Sequence, residues 1–371
     1  MISIKSLVSL AQMTVVFLLC ITLPLVFAGC GDDDEQMDTP IPPEILGCVD
    51  LAATNFDRDA NKDDGSCTYD ENIFYIIEAF DNMVIPAQRT VQVLFQVTDN
   101  DGRGVTDLNE SNFRIAENGR LIGTEARPDF SPQEIPIDIL TILLLDISSS
   151  LEGLIPELKS AAISLVTNPI ENQRFALYTF DSDITLLQDF TDNTTLLVEA
   201  INSINENNLF NSTNIYGAIQ TVAPTWNDER TINQLTDGSI VLFTDGFHNS
   251  NSLTVGDALN ALQQQSDALR KLYVAALDGP DLSPVPLMQL TDHVPMGFLE
   301  IDEISDLSNT FSIIQNEIGN LSNSLYLLDY QSPITDPNSK EESLIIAIIG
   351  NSNLTDNGRI NTTFNSQGFG N

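Results

Sequence analysis

Apolar and polar positions follow two rhythms along this chain, and the rhythms divide it. In the middle, the unbroken apolar runs IDILTILLLD, RFALYTF, SIVLFTD and LYVAALD predict buried strands. Between and after them, LEGLIPELKSAAISLV, TTLLVEAINSI, IYGAIQTVA, DALNALQQQSDALRK and EISDLSNTFSIIQNEIGNL repeat apolar residues at helical spacing. ITLLQDF follows RFALYTF as a hairpin around DSD. Near-continuous strands separated by amphipathic helices predict an α/β domain over 138–322, a doubly wound, mostly parallel sheet covered on both faces. Ligands of such sheets sit at the carboxyl ends of strands. Asp146 and Asp245 each directly follow an apolar run there.

On either side the rhythm changes to strands. Within 70–137, IFYIIEAF, RTVQVLFQVTD and NFRIAENG are rich in β-branched and aromatic residues, and DNDG and ENG are turn signals. The tail, 323–371, offers SLYLLDY, ESLIIAIIG and GRINTTF. Sixty-odd residues are thin for a complete β-sandwich, so both flanks are expected to build one, with the α/β domain inserted. Residues 30–46 are acidic and then Pro-rich, a stiff tether.

The first 29 residues read as a leader, with Lys5 ahead of the apolar TVVFLLCITLPLVFA, too short and too early for a membrane span. They end in Phe27-Ala28-Gly29-Cys30, which resembles the lipobox of bacterial lipoproteins with Phe in the usual Leu position. That resemblance implies lipidation at Cys30. GDDDE follows and resembles the acidic export tag of Bacteroidetes lipoproteins; an acidic linker is the plain alternative. Cys20 leaves with the leader, so Cys48 and Cys67 remain as a pair, which in an exported protein reads as a disulfide.

Charge narrows the partners. With 53 acids against 15 bases the formal charge is −38, which argues against nucleic acid or an anionic lipid surface. Within 47–69, Asp57, Asp59, Asn61 and Asp63 alternate like the start of a calcium loop. Lys62 stands where an EF-hand needs Gly and Thr68 where it needs a bidentate Glu, so an EF-hand is rejected. A looser Ca²⁺ site and a disulfide-closed acidic spacer both remain open. The stretch resembles the short GC…DDGSC module of exported Bacteroidetes proteins.

The chemistry concentrates in three pieces: Asp146-Ile-Ser148-Ser-Ser150, Asn211-Ser-Thr213 before a helix, and Phe243-Thr-Asp245-Gly246. Two acids and three hydroxyls are hard oxygen donors. The middle of the chain resembles the von Willebrand factor type A domain, whose metal-ion-dependent adhesion site uses D-x-S-x-S, a Thr and an Asp in this order. The resemblance implies that Asp146, Ser148, Ser150, Thr213 and Asp245 hold Mg²⁺, with Mn²⁺ and Ca²⁺ as competitors. VTDNDGRGVTDLNESNFRIAENGR likewise resembles the immunoglobulin-like domain that precedes A domains in bacterial surface proteins.

The expected function is that of an outer-membrane, surface-exposed lipoprotein. Its A domain would grip a carboxylate on a protein or matrix ligand through the metal, without catalysis. A structural cell-envelope module is the second reading and a hydrolase the third. His248, one of two histidines, could be drawn into a triad, but the chain has no G-x-S-x-G, H-E-x-x-H or P-loop motif. Cys30→Ser should leave the precursor unprocessed and release it from the membrane fraction; normal processing and retention on a fractionated immunoblot would refute the lipobox.

Overall fold

The computed structural model describes residues 43–370 except 124, 125, 127, 133–135, 206–210, 251, 264–268, 337 and 339. Cys30 and its surroundings therefore lie outside the described residues. Two short strands, β1 (Leu46–Gly47) and β2 (Lys62–Asp63), come first. Then follow β3 (Tyr75–Ile85), β4 (Thr90–Asp99), β5 (Phe113–Glu117), β6 (Arg120–Leu121) and β7 (Asp129–Pro132). The middle contains β8 (Ile137–Asp146), α1 (Ile155–Val166), β9 (Gln173–Phe180), β10 (Ile184–Thr191), α2 (Thr194–Asn202) and α3 (Ile215–Val222). It continues through β11 (Glu229–Thr231), β12 (Gln234–Thr244), α4 (Val255–Leu262), β13 (Lys271–Leu277), α5 (Pro284–Thr291), β14 (Phe298–Ile301) and α6 (Leu307–Ser322). The last strands are β15 (Leu325–Gln331), β16 (Glu341–Ile348) and β17 (Arg359–Asn365).

The central sheet has the order β10-β9-β8-β12-β13-β14, with β11 paired to β12. Strands β9, β8, β12, β13 and β14 are parallel; β10 and β11 run antiparallel to their neighbours. Strand residues alternate between two apolar layers, as the two-residue period requires. Leu143, Leu145, Val241 and Phe243 pack under α1, α2 and α6. Ile142, Leu144, Ile240 and Leu242 pack under α3, α4 and α5. The fold is a doubly wound α/β sheet with helices on both faces.

Two four-stranded sheets, β3-β4-β15-β7 and β17-β16-β5-β6, share one further apolar core. Strand β15, which follows α6, lies between β4 and β7, which precede the α/β layer. At its centre Phe95 stacks on Tyr326 and meets Phe113 and Phe130 edge-on. The β5–β6 hairpin turns at Asn118 and Gly119, with φ of 50° and 74°, the left-handed geometry that Asn-Gly supplies in tight hairpins. Cys48 and Cys67 are joined as a disulfide, and their loop sits on the outer face of β5 and β16. There Arg359 grips Asp50 with two bonds of 3.1 and 3.0 Å, and Arg114 donates to the Leu51 and Ala53 carbonyls.

Two local expectations fail. The helix expected over DALNALQQQSDALRK stops at Leu262, and Gln263 is extended. Beyond Leu262 the apolar spacing gives way to a run of glutamines, and Arg270 N bonds back to the Leu262 carbonyl. Helix α5 and strand β14 have no counterpart among the expected elements: eight and four residues are too few for a period to show.

At the amino end of β12, Asp237 is buried between Lys271, with which it makes a close ion pair, and Arg230 at 3.2 Å. Burial alone would push this carboxyl up; Lys271 and Arg230 outweigh it and hold it below the usual carboxylate range. Arg230 also lies over Phe80 of β3, 4.6 Å from the ring centroid, so the cluster ties the central sheet to the neighbouring one. Asp237→Ala would strand two cations and should cost about 3 kcal/mol, read as a lower urea midpoint at pH 7. Because the folded pKa is depressed, the contribution is present above about pH 4 and disappears on acidification through the folded value. The midpoint gap between the two proteins should therefore shrink in acid.

Candidate metal centre

Two loops leave the carboxyl edge of the central sheet, after β8 and β12, and the segment between α2 and α3 meets them beside its middle strands. Strands β8 and β12 are parallel and paired Leu145 to Phe243, so Asp146 and Thr244 end side by side. Both are fully buried. Asp146 Oδ2 accepts the Thr244 hydroxyl at 2.6 Å and Oδ1 accepts the Ser148 amide at 2.8 Å, which fixes both oxygens. After Ser148 the chain makes a short 3₁₀ turn, Ser149–Leu151, anchored by the buried Leu151. That turn places Ser148 Oγ 3.1 Å from Ser150 Oγ, and Ser150 donates to Asp245 Oδ1 at 2.9 Å. Asp146, Ser148, Ser150 and Asp245 are thereby joined in one chain of hydrogen bonds.

Thr213 arrives on the loop before α3. Its amide donates to Asn249 Oδ1 at 2.7 Å, and Asn249 N returns a bond to the Thr213 carbonyl at 3.1 Å. This double bridge ties the Thr213 loop to the loop after β12. The Thr213 hydroxyl lies 3.6 Å from the point a side chain on Gly246 would occupy, and it makes no hydrogen bond among the described residues. Asn214 caps α3 by accepting from Gly217 N, and its own amide bonds to the Asp181 carbonyl. Ser149 and Asn211 bond each other across the first two loops.

Electrostatics set the chemistry of the site. Burial pushes the Asp146 carboxyl up to about 7, although the bonds from Thr244 and Ser148 pull the other way. Burial also raises Asp245, with Asp281 adding to the effect. Two acids held above their ordinary values at neutral pH are a site short of positive charge. The donors are two carboxylates and three hydroxyls, all hard oxygens, which fits a small divalent cation. Among the described residues no group of three or more His, Cys, Asp or Glu could hold a metal ion, so a site here must use the hydroxyls.

The other candidates fare differently. Asp57, Asp59, Asn61 and Asp63 form no such group. Asp57 accepts the Asp59 amide and Asp63 the Gly65 amide, each closing a turn, and Asn61 accepts the Ile45 amide, tying the loop to the segment before Cys48. His248, the residue that a triad would need, stacks its ring on Tyr216 at 4.2 Å, and its Nδ1 accepts the Tyr216 amide. Thr244 and Asn249 escape a reading of the sequence alone. Aligning LLLD with LFTD end to end would pair Asp146 with Asp245; the observed register is offset by one residue and sets Thr244 beside Asp146.

Residues 141–248 match the von Willebrand factor type A domain. The fold of the central layer is that of this domain. The match spans all three loops of the candidate site. Comparison with curated proteins finds no match. Among solved structures, BatB from Bacteroides thetaiotaomicron is similar at 16% identity, over 50% of this chain and 100% of that one, with a TM-score of 0.41. The type A domain of the pilus tip protein Mfa5 from Porphyromonas gingivalis is similar at 14% identity, over 50% and 96%, with a TM-score of 0.40. Proximal thread matrix protein 1 from the mussel byssus, with a zinc-occupied adhesion-site motif, is similar at 15% identity and a TM-score of 0.40. That likeness covers 50% of this chain, which spans about half the mussel protein's length, 49%. At these scores the fold assignment rests on the family match and the strand order.

The raised Asp146 has a stability consequence without metal. Between about pH 4 and pH 7 the folded protein holds this proton more tightly than the unfolded chain does, so this group's contribution to stability falls as pH rises through that window. Asp146→Asn removes the decline. In EDTA, urea midpoints should show the Asp146→Asn variant gaining on the parent between about pH 4 and pH 7, and an unchanged difference would refute the assignment.

Proposed function

We propose that the type A domain binds a protein or matrix ligand through a divalent cation held by Asp146, Ser148, Ser150, Thr213 and Asp245. The carrying observation is the hydrogen-bonded chain from Asp146 to Asp245 at the carboxyl edge of the sheet, with the Thr213 hydroxyl beside it. Few charges and all-oxygen donors favour Mg²⁺, with Mn²⁺ and Ca²⁺ competing. When bound, the cation would offer an open coordination position to a carboxylate of the partner. Asp146 and Asp245 together balance its formal charge, so the pull on a third acid would come from direct coordination at the open position in a partly dry cleft. Thr244 fixes the inner carboxylate so that it need not reorganise on binding.

A purely structural role for the metal is less well supported. The three loops are already cross-linked by Ser149 to Asn211, Thr213 to Asn249 and Ser150 to Asp245, so a cation is not needed to hold them. In the same reading Cys30 carries the lipid, 30–46 is the tether, and the two flanks form a β-sandwich in an outer-membrane, surface-exposed lipoprotein. No helix among the described residues is long and apolar enough to cross a membrane. The strongly acidic surface would discourage non-specific contact with other acidic surfaces.

Thr213→Ala tests this reading because it removes one neutral oxygen and no charge. Capture of partners from native cell envelopes should weaken by about tenfold or more, about 1.4 kcal/mol, with the melting temperature in EDTA unchanged. Asp146→Ala should abolish Mg²⁺ binding in calorimetry. Thr213→Ala protein that captures partners like the parent, or capture that survives EDTA, would contradict the proposal.

A further inference from the structure

The chain has ten arginines, and most are spent on partners inside the fold. Arg103, Arg174, Arg230 and Arg359 pair with acids, and Arg114 and Arg270 donate to backbone carbonyls. Among the described residues, Arg58, Arg89 and Arg120 have neither kind of partner. Two of these three, Arg58 and Arg120, line one cleft of about 410 Å³ where the disulfide-closed loop meets the outer face of β5 and β16. Arg359 lines it as well, with its charge already met by Asp50. Among the described residues no carboxylate lines this cleft, in a protein of formal charge −38.

Its floor is apolar. Leu51, Phe56, Leu121 and Ile345 belong to the small cluster that seats the loop on the sheet. Arg114 lies over the Phe56 ring, 5.1 Å from the centroid. Four of the loop's five acids are turned to other tasks: Asp57 to the Asp59 amide, Asp63 to Gly65, Asp64 to Ser66, Asp50 to Arg359, Tyr69 and Ala52. The walls are fixed by the Cys48–Cys67 bond on one side and by the Asn118-Gly119 turn on the other.

We propose that this cleft binds an amphipathic anion, an apolar body bearing one oxyanion that Arg58 and Arg120 grip at its mouth. Arg120 also borders a neighbouring cleft with Arg89, but that one is lined by Glu117 and Asp336 as well, whereas here the cations stand over an apolar floor with no carboxylate in the lining. Guanidinium groups suit carboxylate, sulfonate and phosphate alike by their planar fork of donors. An anion here would also gain from exclusion of the apolar body from water.

The probe is anilinonaphthalene sulfonate, read by fluorescence titration on the intact, oxidised protein, with uncharged phenylnaphthylamine as control. The sulfonate should bind at one site and weaken with salt. Arg58→Gln with Arg120→Gln should reduce its affinity by about tenfold, whereas Arg89→Gln, the third uncompensated arginine, should not. Both side chains are exposed, so the double variant should melt like the parent, and Arg58→Lys with Arg120→Lys should recover part of the loss. Decanoate and decyl phosphate as competitors separate carboxylate from phosphate. Displacement by neither would overturn the proposal, as would equal binding to the Gln pair or binding of the uncharged analogue as tight as the sulfonate.

Discussion

A buried carboxylate at the end of β8 governs the arrangement of the carboxyl edge. Asp146 has no solvent exposure, and its oxygens are held by one backbone amide and one hydroxyl. Neither bond brings a positive charge, so the fold carries an acid raised to about 7 at a place where most proteins put an apolar residue. Such a group is costly unless something compensates it. The Ser148 and Ser150 hydroxyls and Asp245 directly follow parallel strands whose register is set by the two apolar layers. The strand ends that carry Asp146 and Asp245 are thereby fixed to the core beneath them, and the loops that carry Thr213 and Asn249 lie outside that constraint.

Much of this was legible in the sequence because strands and ligands obey simple rules. Unbroken runs such as ILLLD and IVLFTD announce strands buried on both faces, and an acid directly after such a run must emerge at the carboxyl edge. Asp146 and Asp245 followed from that alone. Thr244 did not, because a Thr inside a strand looks like any other β-branched residue until the register of β8 and β12 is known. Asn249 was hidden for another reason: its role is a bridge between two loops, and loop conformations leave no period. Helix α5 and strand β14 are too short to show one. The seating of the disulfide-closed loop was equally unreadable, since it depends on Arg114 and Arg359 reaching across from strands far away in the chain.

Charge is distributed with more order than the total of −38 suggests. Acids near turns are used on backbone amides, as at Asp57, Asp63 and Asp64. Asp237 gathers Lys271 and Arg230 at the amino end of the central sheet, where it also meets the hydroxyl of Ser322 from α6. Asp146 and Asp245, at the opposite end, have no cationic side chain among their hydrogen-bond partners in the described residues. One end of the sheet thus carries compensated charge that supports the fold, and the other carries uncompensated charge available to a cation. The same contrast sets the arginine-lined cleft apart from the rest of the surface.

The central claim is that Asp146, Ser148, Ser150, Thr213 and Asp245 form a cation site at the carboxyl edge. Its most direct test is an anomalous difference map from crystals of the protein soaked in Mn²⁺. The account predicts one strong peak among the oxygens of these residues, absent from crystals of the Asp146→Ala variant soaked alike. A map with no peak there, or with its peak at Asp57, Asp59 and Asp63 instead, would contradict it.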